Sequence, residues 1–464
     1  MKHCLEDLNI ENLNIEMLHT QTGSGSPTKH VDEGFEYVRR VAPWETPQKH
    51  VPPEILGKIF VHCLDGEAVF IPPKASPSMP WLLGQICSRW RTIALEEHQL
   101  WDNVVIASCK FFPRLALEEV IRRSGESRII NLNHVPGEYF KIILPTLRRH
   151  CNRFQSLEIE ITRPTATLLS EMCLFDRLES LEIHYGHALH TPNSDDPSRT
   201  EFSAPPSLRK LILSSDISDH LPLNNTRINP AAPFWERLTY LEVKNNTCVP
   251  IFTMLHILGQ CKALVECSLL LCDDSGSIRD ESERVTVPSL QLITAQSVDP
   301  ILTDFFASLN LPSLRILKMV GLSEPWPQHE ILALIDRSGC NLEGFYNADF
   351  TMPPECVMPL IRAMPCVAHV SLDTDAPIPC STIDTIISEN LLPYLVFVTA
   401  WFDSSHAALK LVETTWARSV SPGGGIRDGV LYIDSADIRA DEEACRVLKR
   451  VVSQSGGSLG ISVC

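Results

Sequence analysis

Beyond Trp101 the chain repeats one short phrase, apolar–x–x–apolar–x–apolar. Clear copies stand at Phe154/Leu157/Ile159, Leu178/Leu181/Ile183, Leu208/Leu211/Leu213 and Leu238/Leu241/Val243. Three more follow at Leu264/Cys267/Leu269, Leu290/Ile293/Ala295 and Leu314/Leu317/Met319. Weaker copies continue at Leu342/Phe345/Asn347, Val367/Val370/Leu372 and Leu395/Val398/Ala400. Successive copies begin 24, 30, 30, 26, 26, 24, 28, 25 and 28 residues apart. The last three positions of each copy alternate in and out with period two, which predicts a short strand. About twenty residues then remain for a return segment, and parallel strands need a crossover of that length. Several return segments carry helical periodicity: Tyr139 to His150, Thr253 to Cys261, Gln328 to Arg337 and Glu355 to Ala363. Fainter copies at Trp101/Val104/Ile106 and around Ile130/Leu132 extend the series upstream, and Gly429 to Asp434 reads as its last strand. The pattern predicts an α/β chain with parallel strands.

Before Trp101 the period changes. Ile55, Leu56, Ile59, Phe60, Cys63 and Leu64 form one stripe on a 3.6-residue helix, entered through Pro52 and Pro53. A second stripe comprises Leu82, Leu83, Ile86, Cys87, Trp90 and Ala94. Two such helices bury too little to stand alone, so a neighbour must cover them. The first forty-five residues carry a Gly/Ser-rich stretch from Thr20 to Lys29 and read as a tail. Polar, Pro-rich intervals at Gly186–Pro206 and Ser215–Pro233, with Asp273–Thr286 and Ser421–Gly429, read as surface loops.

Composition narrows the function. With 44% hydrophobic and 21% charged residues, the 464-residue chain is that of a folded protein. Its net charge of −17 argues against nucleic acid and against an anionic membrane surface. The longest apolar stretch, Leu391 to Phe402, is too short for a membrane span and contains Pro393. The acidic start MKHCLEDLNIEN lacks a secretory apolar region, so an intracellular setting, cytoplasm or nucleus, is expected. The sixteen cysteines are then expected as small buried hydrophobes, and no C-x-x-C pair occurs.

The ordered set Pro52–x–Glu54, Ile59–Phe60, Cys87–x–x–Trp90–Arg91 and Leu100–Trp101 resembles the F-box, in the form abundant in mushroom-forming fungi. The repeats behind it, some with a cysteine just before the strand (Cys151, Cys261, Cys340, Cys366), resemble cysteine-containing leucine-rich repeats. This implies a tail over 1–45, an F-box over 46–101 and an irregular leucine-rich-repeat solenoid over 102–464, with strands on its concave face. It further implies docking on a Skp-type linker protein and, through it, on cullin and RING subunits of an SCF-type ubiquitin ligase. The chain would be that ligase's substrate receptor and would need no cofactor. The docking set would be Pro52, Glu54, Ile55, Leu56, Ile59, Phe60, Leu82, Leu83, Ile86, Cys87, Trp90 and Trp101, of which Trp101 also suits packing on the first repeat. The Asn ladder usual after leucine-rich-repeat strands is nearly absent here, with Asn246 well placed. A non-degradative scaffold remains the alternative in function, and a βαβ-type domain with coincidental spacing the alternative in fold.

Strings that look catalytic lack the context their chemistry needs. Gly456-Gly-Ser458-Leu-Gly460 matches G-x-S-x-G, but an elbow needs a strand before it, a helix after it, and later Asp and His. His184, His187 and His190 lie three apart at a strand end, which does not converge on a metal, and no metal is expected. Gly423-x-Gly425 lacks the last glycine of a dinucleotide loop. An adaptor without its own active site is expected. Residues flanking the last apolar position of each copy should face the open side of the sheet: Glu158, Glu160, Glu182, His184, Glu242 and Lys244 early, and Lys318, Tyr346, Asp373 and Trp401 later. Glu158, Glu160, Glu182, Glu242, Tyr346 and Trp401 are the candidate substrate contacts, and an acidic stripe suits a basic protein partner.

Overall fold

A computed structural model describes residues 51–64, 68–71, 79–106, 114–125, 129–132, 137–161, 174–185, 204–215, 221–222, 233–245, 247–273, 284–297, 301–321, 326–348, 352–418, 428–433, 446–447, 450 and 460–463. The tail and most of the polar intervals fall outside this set. The chain divides into two compact units, one ending at Ile130 and the other beginning at Asn131.

The first unit is built on α1 (Pro53–Cys63), β1 (Val69–Ile71), α2 (Met79–Ile86), α3 (Ser88–Glu96), a 3-10 turn at His98–Trp101, β2 (Asn103–Ile106) and α4 (Arg114–Arg123). Pro53 opens α1, where its missing N–H is no loss, and Leu56 and Phe60 are the buried side chains one turn apart. Phe60 meets Trp90 of α3 with ring centroids 4.8 Å apart. Trp81 of α2 meets Trp101 edge-on at 5.2 Å, and the Arg123 guanidinium lies over the Trp101 ring at 5.0 Å. These aromatics tie three helices and the turn together. The unit also contains a parallel strand pair, with Val69, Phe70 and Ile71 opposite Val104, Val105 and Ile106. That pairing lies within the compact unit, which runs on to Ile130. The strand β3 (Ile129–Leu132) runs across the division.

The second unit is an α/β arrangement on a parallel sheet. Its strands are β4 (Ser156–Ile161), β5 (Ser180–Tyr185), β6 (Lys210–Ser215), β7 (Tyr240–Asn245), β8 (Glu266–Cys272) and β9 (Leu292–Ser297). They continue as β10 (Ile316–Gly321), β11 (Gly344–Ala348), β12 (His369–Ser371), β13 (Phe397–Phe402), β14 (Asp428–Ile433) and β15 (Gly460–Val463). Each pairs in parallel with the next in chain order. The register follows the sequence phrase: Leu157, Leu181, Leu211, Leu241, Cys267, Ile293, Leu317, Phe345, Val370 and Val398 lie opposite one another. All ten are essentially inaccessible to solvent. Burying side chains of this size stabilises by about 1.5–3 kcal/mol each, so this column is a principal source of stability.

One backbone device recurs at each step from β4 to β13. The Gln155 carbonyl accepts from the amides of both Glu179 and Ser180, at 2.9 and 3.0 Å. Glu179, Arg209, Thr239, Val265, Gln291, Arg315, Glu343 and Ala368 each accept in the same way from two successive amides of the following copy. The residues that open each copy, from Phe154 to Leu395, are buried just before this point.

Helices fill the later crossovers: α6 (Ile251–Gln260), α7 (Leu302–Ala307), α8 (Gln328–Ser338), α9 (Val357–Ala363), α10 (Cys380–Ser388) and α11 (Ser405–Arg418), with α5 (Gly137–Arg149) ahead of β4. In α8 the buried residues are Ile331, Leu334, Ile335 and Ser338, a single stripe at helical spacing. Gly339 ends that helix at φ +56°, a left-handed position that glycine adopts without strain. Cys261 and Cys340, just before their strands, are buried, while Cys151 and Cys366 are half-buried; all are free thiols. Burial pushes the Cys261 thiol up to about 12, which suits a packing role over a reactive one.

Candidate interaction surfaces

In the first unit, the residues singled out from the sequence separate by exposure. Leu56, Phe60, Leu83 and Trp101 are buried, so they hold the helices to one another. Ile59 and Trp90 are half-buried. Pro52, Glu54 and Cys87 are exposed, and so are three large apolar side chains: Ile55 at 45%, Leu82 at 43% and Ile86 at 54%. Both groups come from the same stripes, because a stripe wider than one neighbour can cover leaves part of itself outside. Cys87 also has a local task. Its sulfur accepts from the Trp90 amide at 3.4 Å and so caps the start of α3.

In the second unit, the outward positions share the face opposite the leucine column. The row next to that column reads Glu158, Glu182, Ile212, Glu242, Ser268, Thr294, Lys318, Tyr346, Ser371 and Thr399. Glu160 lies opposite His184 two residues further along, followed by Ser214 and Lys244. Trp401 lies on the same face of β13, half-buried, and its Nε1 has no hydrogen-bond partner among the described residues.

A polar network crosses β4 to β7. His184 Nε2 lies 3.0 Å from Glu158 Oε1 and 3.4 Å from Glu182 Oε1. Lys244 Nζ is 2.9 Å from Glu182 Oε1. The buried Ser214 places its Oγ 2.5 Å from His184 Nδ1. Carboxylates only accept, so a neutral His184 carries its proton on Nε2 and takes the Ser214 O–H at Nδ1. Burial alone would lower the Lys244 ammonium; the hydrogen bond and charge of Glu182, with Glu242 and Glu158, outweigh it and raise it. Glu158, Glu182 and His184 bring ligand-type atoms within 4.8 Å of one another. Against the two carboxylates stand one imidazole N–H and one ammonium, so with a neutral His184 the set keeps a net negative charge. His187 and His190 lie outside the described residues.

Tyr240, two residues before Glu242 on β7, donates its hydroxyl to Glu242 Oε2 at 2.9 Å, and Lys210 Nζ sits 4.6 Å above its ring. Further along, the face becomes aromatic. Tyr346 and Phe397 have centroids 6.2 Å apart, His369 stacks on Phe397 at 6.1 Å, and Lys318 Nζ lies 5.2 Å over Tyr346. The Tyr346 ring rests across Gly344: a Cβ there would come 3.1 Å from its Cε2. Phe397, His369, Tyr240 and Lys210 were not among the residues named from the sequence. The same alternation points to them, two places before Thr399, Ser371, Glu242 and Ile212.

Gly460 opens β15, so a strand follows the G-x-S-x-G string where a nucleophile elbow has a helix; Ser458 lies outside the described residues. Among the described residues no helix is long and apolar enough to cross a membrane. No protein-family model matches the chain, and no curated protein does so either.

Proposed function

We propose that this chain is an F-box protein with a leucine-rich-repeat solenoid, the substrate receptor of an SCF-type cullin–RING ubiquitin ligase. Its helical unit docks on a Skp-type linker protein, and the open face of its sheet holds a protein target. The mechanism is proximity. Binding both at once makes ubiquitin transfer from a conjugating enzyme effectively intramolecular, with the catalytic residues on other subunits. The observation that carries the reading is the pair of helices whose ordered motif leaves Ile55, Leu82 and Ile86 exposed while Leu56, Phe60 and Leu83 hold the unit together. Exposed apolar residues that share short helices suit burial against a partner. Parallel strands recurring every 24 to 30 residues in one register support the leucine-rich-repeat part.

Co-purification with a Skp-type linker protein and a cullin tests this. Wild type is expected to bring down both. Leu82→Asp/Ile86→Asp is expected to lose the linker while keeping its circular dichroism spectrum, since neither side chain is in the core. A wild-type chain that folds and binds no linker overturns the proposal. Linker without cullin would instead favour a non-degradative scaffold.

A further inference from the structure

The open face of the second unit changes character along one register row. On β4, β5 and β7 the row carries Glu158, Glu182 and Glu242, and Glu266, opposite Tyr240 two residues before the row, adds a carboxylate on β8. Across β8 and β9 it carries Ser268 and Thr294, small and uncharged. On β10 and β11 it reaches Lys318 and then Tyr346, against which Phe397 packs. Water-facing strand positions are ordinarily polar, so half-buried Ile316, Tyr346 and Phe397 on that face form an apolar platform. Lys318 over Tyr346 makes the platform unfavourable for a cationic side chain. The acidic end makes the opposite demand.

We propose that this face binds an extended polypeptide segment in two places: a basic cluster at Glu182 and Glu242, and a bulky apolar or aromatic residue on Tyr346 and Phe397. This rests on reading the chain as a protein-recognition subunit and names the class of segment it takes. Neighbouring strands lie about 4.8 Å apart, so Tyr346 is roughly 19 Å from Glu242 and roughly 29 Å from Glu182 along the row. An extended chain advances about 3.3 Å per residue, which puts the anchor about six to nine residues from the basic cluster. The small side chains of Ser268 and Thr294 leave the stretch between them free of sequence demands. The net charge of −17 adds a long-range pull on a basic segment.

Selection of random displayed peptides on the immobilised full-length chain tests this. Enriched sequences are expected to carry Lys or Arg clusters with Phe, Tyr, Trp or Leu about six to nine residues away. Their affinity should fall about tenfold or more for Glu182→Gln/Glu242→Gln, and separately for Tyr346→Ala/Phe397→Ala. The first variant should flatten the salt dependence, and the second should leave it steep. Circular dichroism checks that each variant is folded. Enrichment of acidic or purely apolar sequences, enrichment indifferent to both variants, or none at all would overturn the proposal. The selection uses no linker protein, so its failure leaves linker docking standing. Failure of linker co-purification likewise leaves the peptide result to be judged on its own.

Discussion

The indole Nε1–H of Trp101 donates to the Ala94 carbonyl at 2.7 Å, and Ala94 stands in the last turn of α3. That carbonyl has no onward amide in the helix, because the chain leaves α3 after Glu96 and turns through His98–Trp101. Trp101 therefore closes a helix end as well as filling the core beside Trp81. Trp101→Phe keeps most of the packing and strands a buried acceptor, at a cost of about 1–3 kcal/mol. Trp101→Ala should cost about 3–5 kcal/mol. Urea unfolding followed through the first unit would rank them in that order.

The leucine column and the rim charges make an opposite pair of tests. Leu317 lies fully buried between Ile293 and Phe345, and Leu317→Ala should lower stability by about 2–5 kcal/mol. Arg315, two residues earlier, forms a two-pronged ion pair with Glu343 at 2.8 and 2.5 Å, and both side chains are about half exposed. Pairs in water lose most of their attraction to solvent screening, so Arg315→Ala should leave the melting temperature unchanged within error. Differential scanning fluorimetry of the two variants separates the effects.

Gly339 carries a third prediction. Nothing stands within 4 Å of where its Cβ would be, so the cost of Gly339→Ala is conformational alone. Holding alanine at a left-handed φ should destabilise by about 1–2 kcal/mol. Gly339→Asn should recover part of the loss, because asparagine tolerates that region better. Thermal melts of both variants check it.

Burial, the hydrogen bond to Glu242 and the charges of Glu242, Glu266 and Glu182 together push the Tyr240 phenol up to about 12. An unfolded tyrosine titrates near 10. The folded state therefore holds this proton more tightly, and the associated stability is full below about pH 10 and lost as pH rises through about 12. Tyrosinate absorbance should show a late fraction in the wild type, to which Tyr346 also contributes because burial raises its phenol, and Tyr240→Phe should shrink that fraction. The variant should also flatten that part of the alkaline stability profile.

Strand positions were legible wherever packing repeats. The phrase that places Leu157 in the interior also places Phe345, Val370 and Val398 there, because every strand meets the same neighbours on the same side. It falters at Asn347, a buried polar residue in an apolar position, whose amide donates to the Asp373 carbonyl at 2.8 Å. Val69–Ile71 gave no sequence signal beyond three β-prone residues, since the strand exists through pairing with Val104–Ile106 more than thirty residues away. Gly460–Val463 was missed because it lacks the full phrase and relies on β14 for its ladder. The acidic half of the open face followed from alternation. The Tyr346–Phe397 contact did not, because it reaches across the intervening β12.

The doubled acceptance at Gln155, Glu179, Arg209 and their counterparts separates two quantities that are usually linked. Each strand from β5 to β13 begins at a mark set by the strand before it, whatever length of chain was spent getting there, 24 residues or 30. Connections can lengthen or shorten without shifting any outward side chain out of its row. A reporter sequence spliced between Tyr185 and Ala204 should therefore leave Glu182 and Glu242 in the same row, so the chain can be re-tailored at its edges while its open face stays aligned.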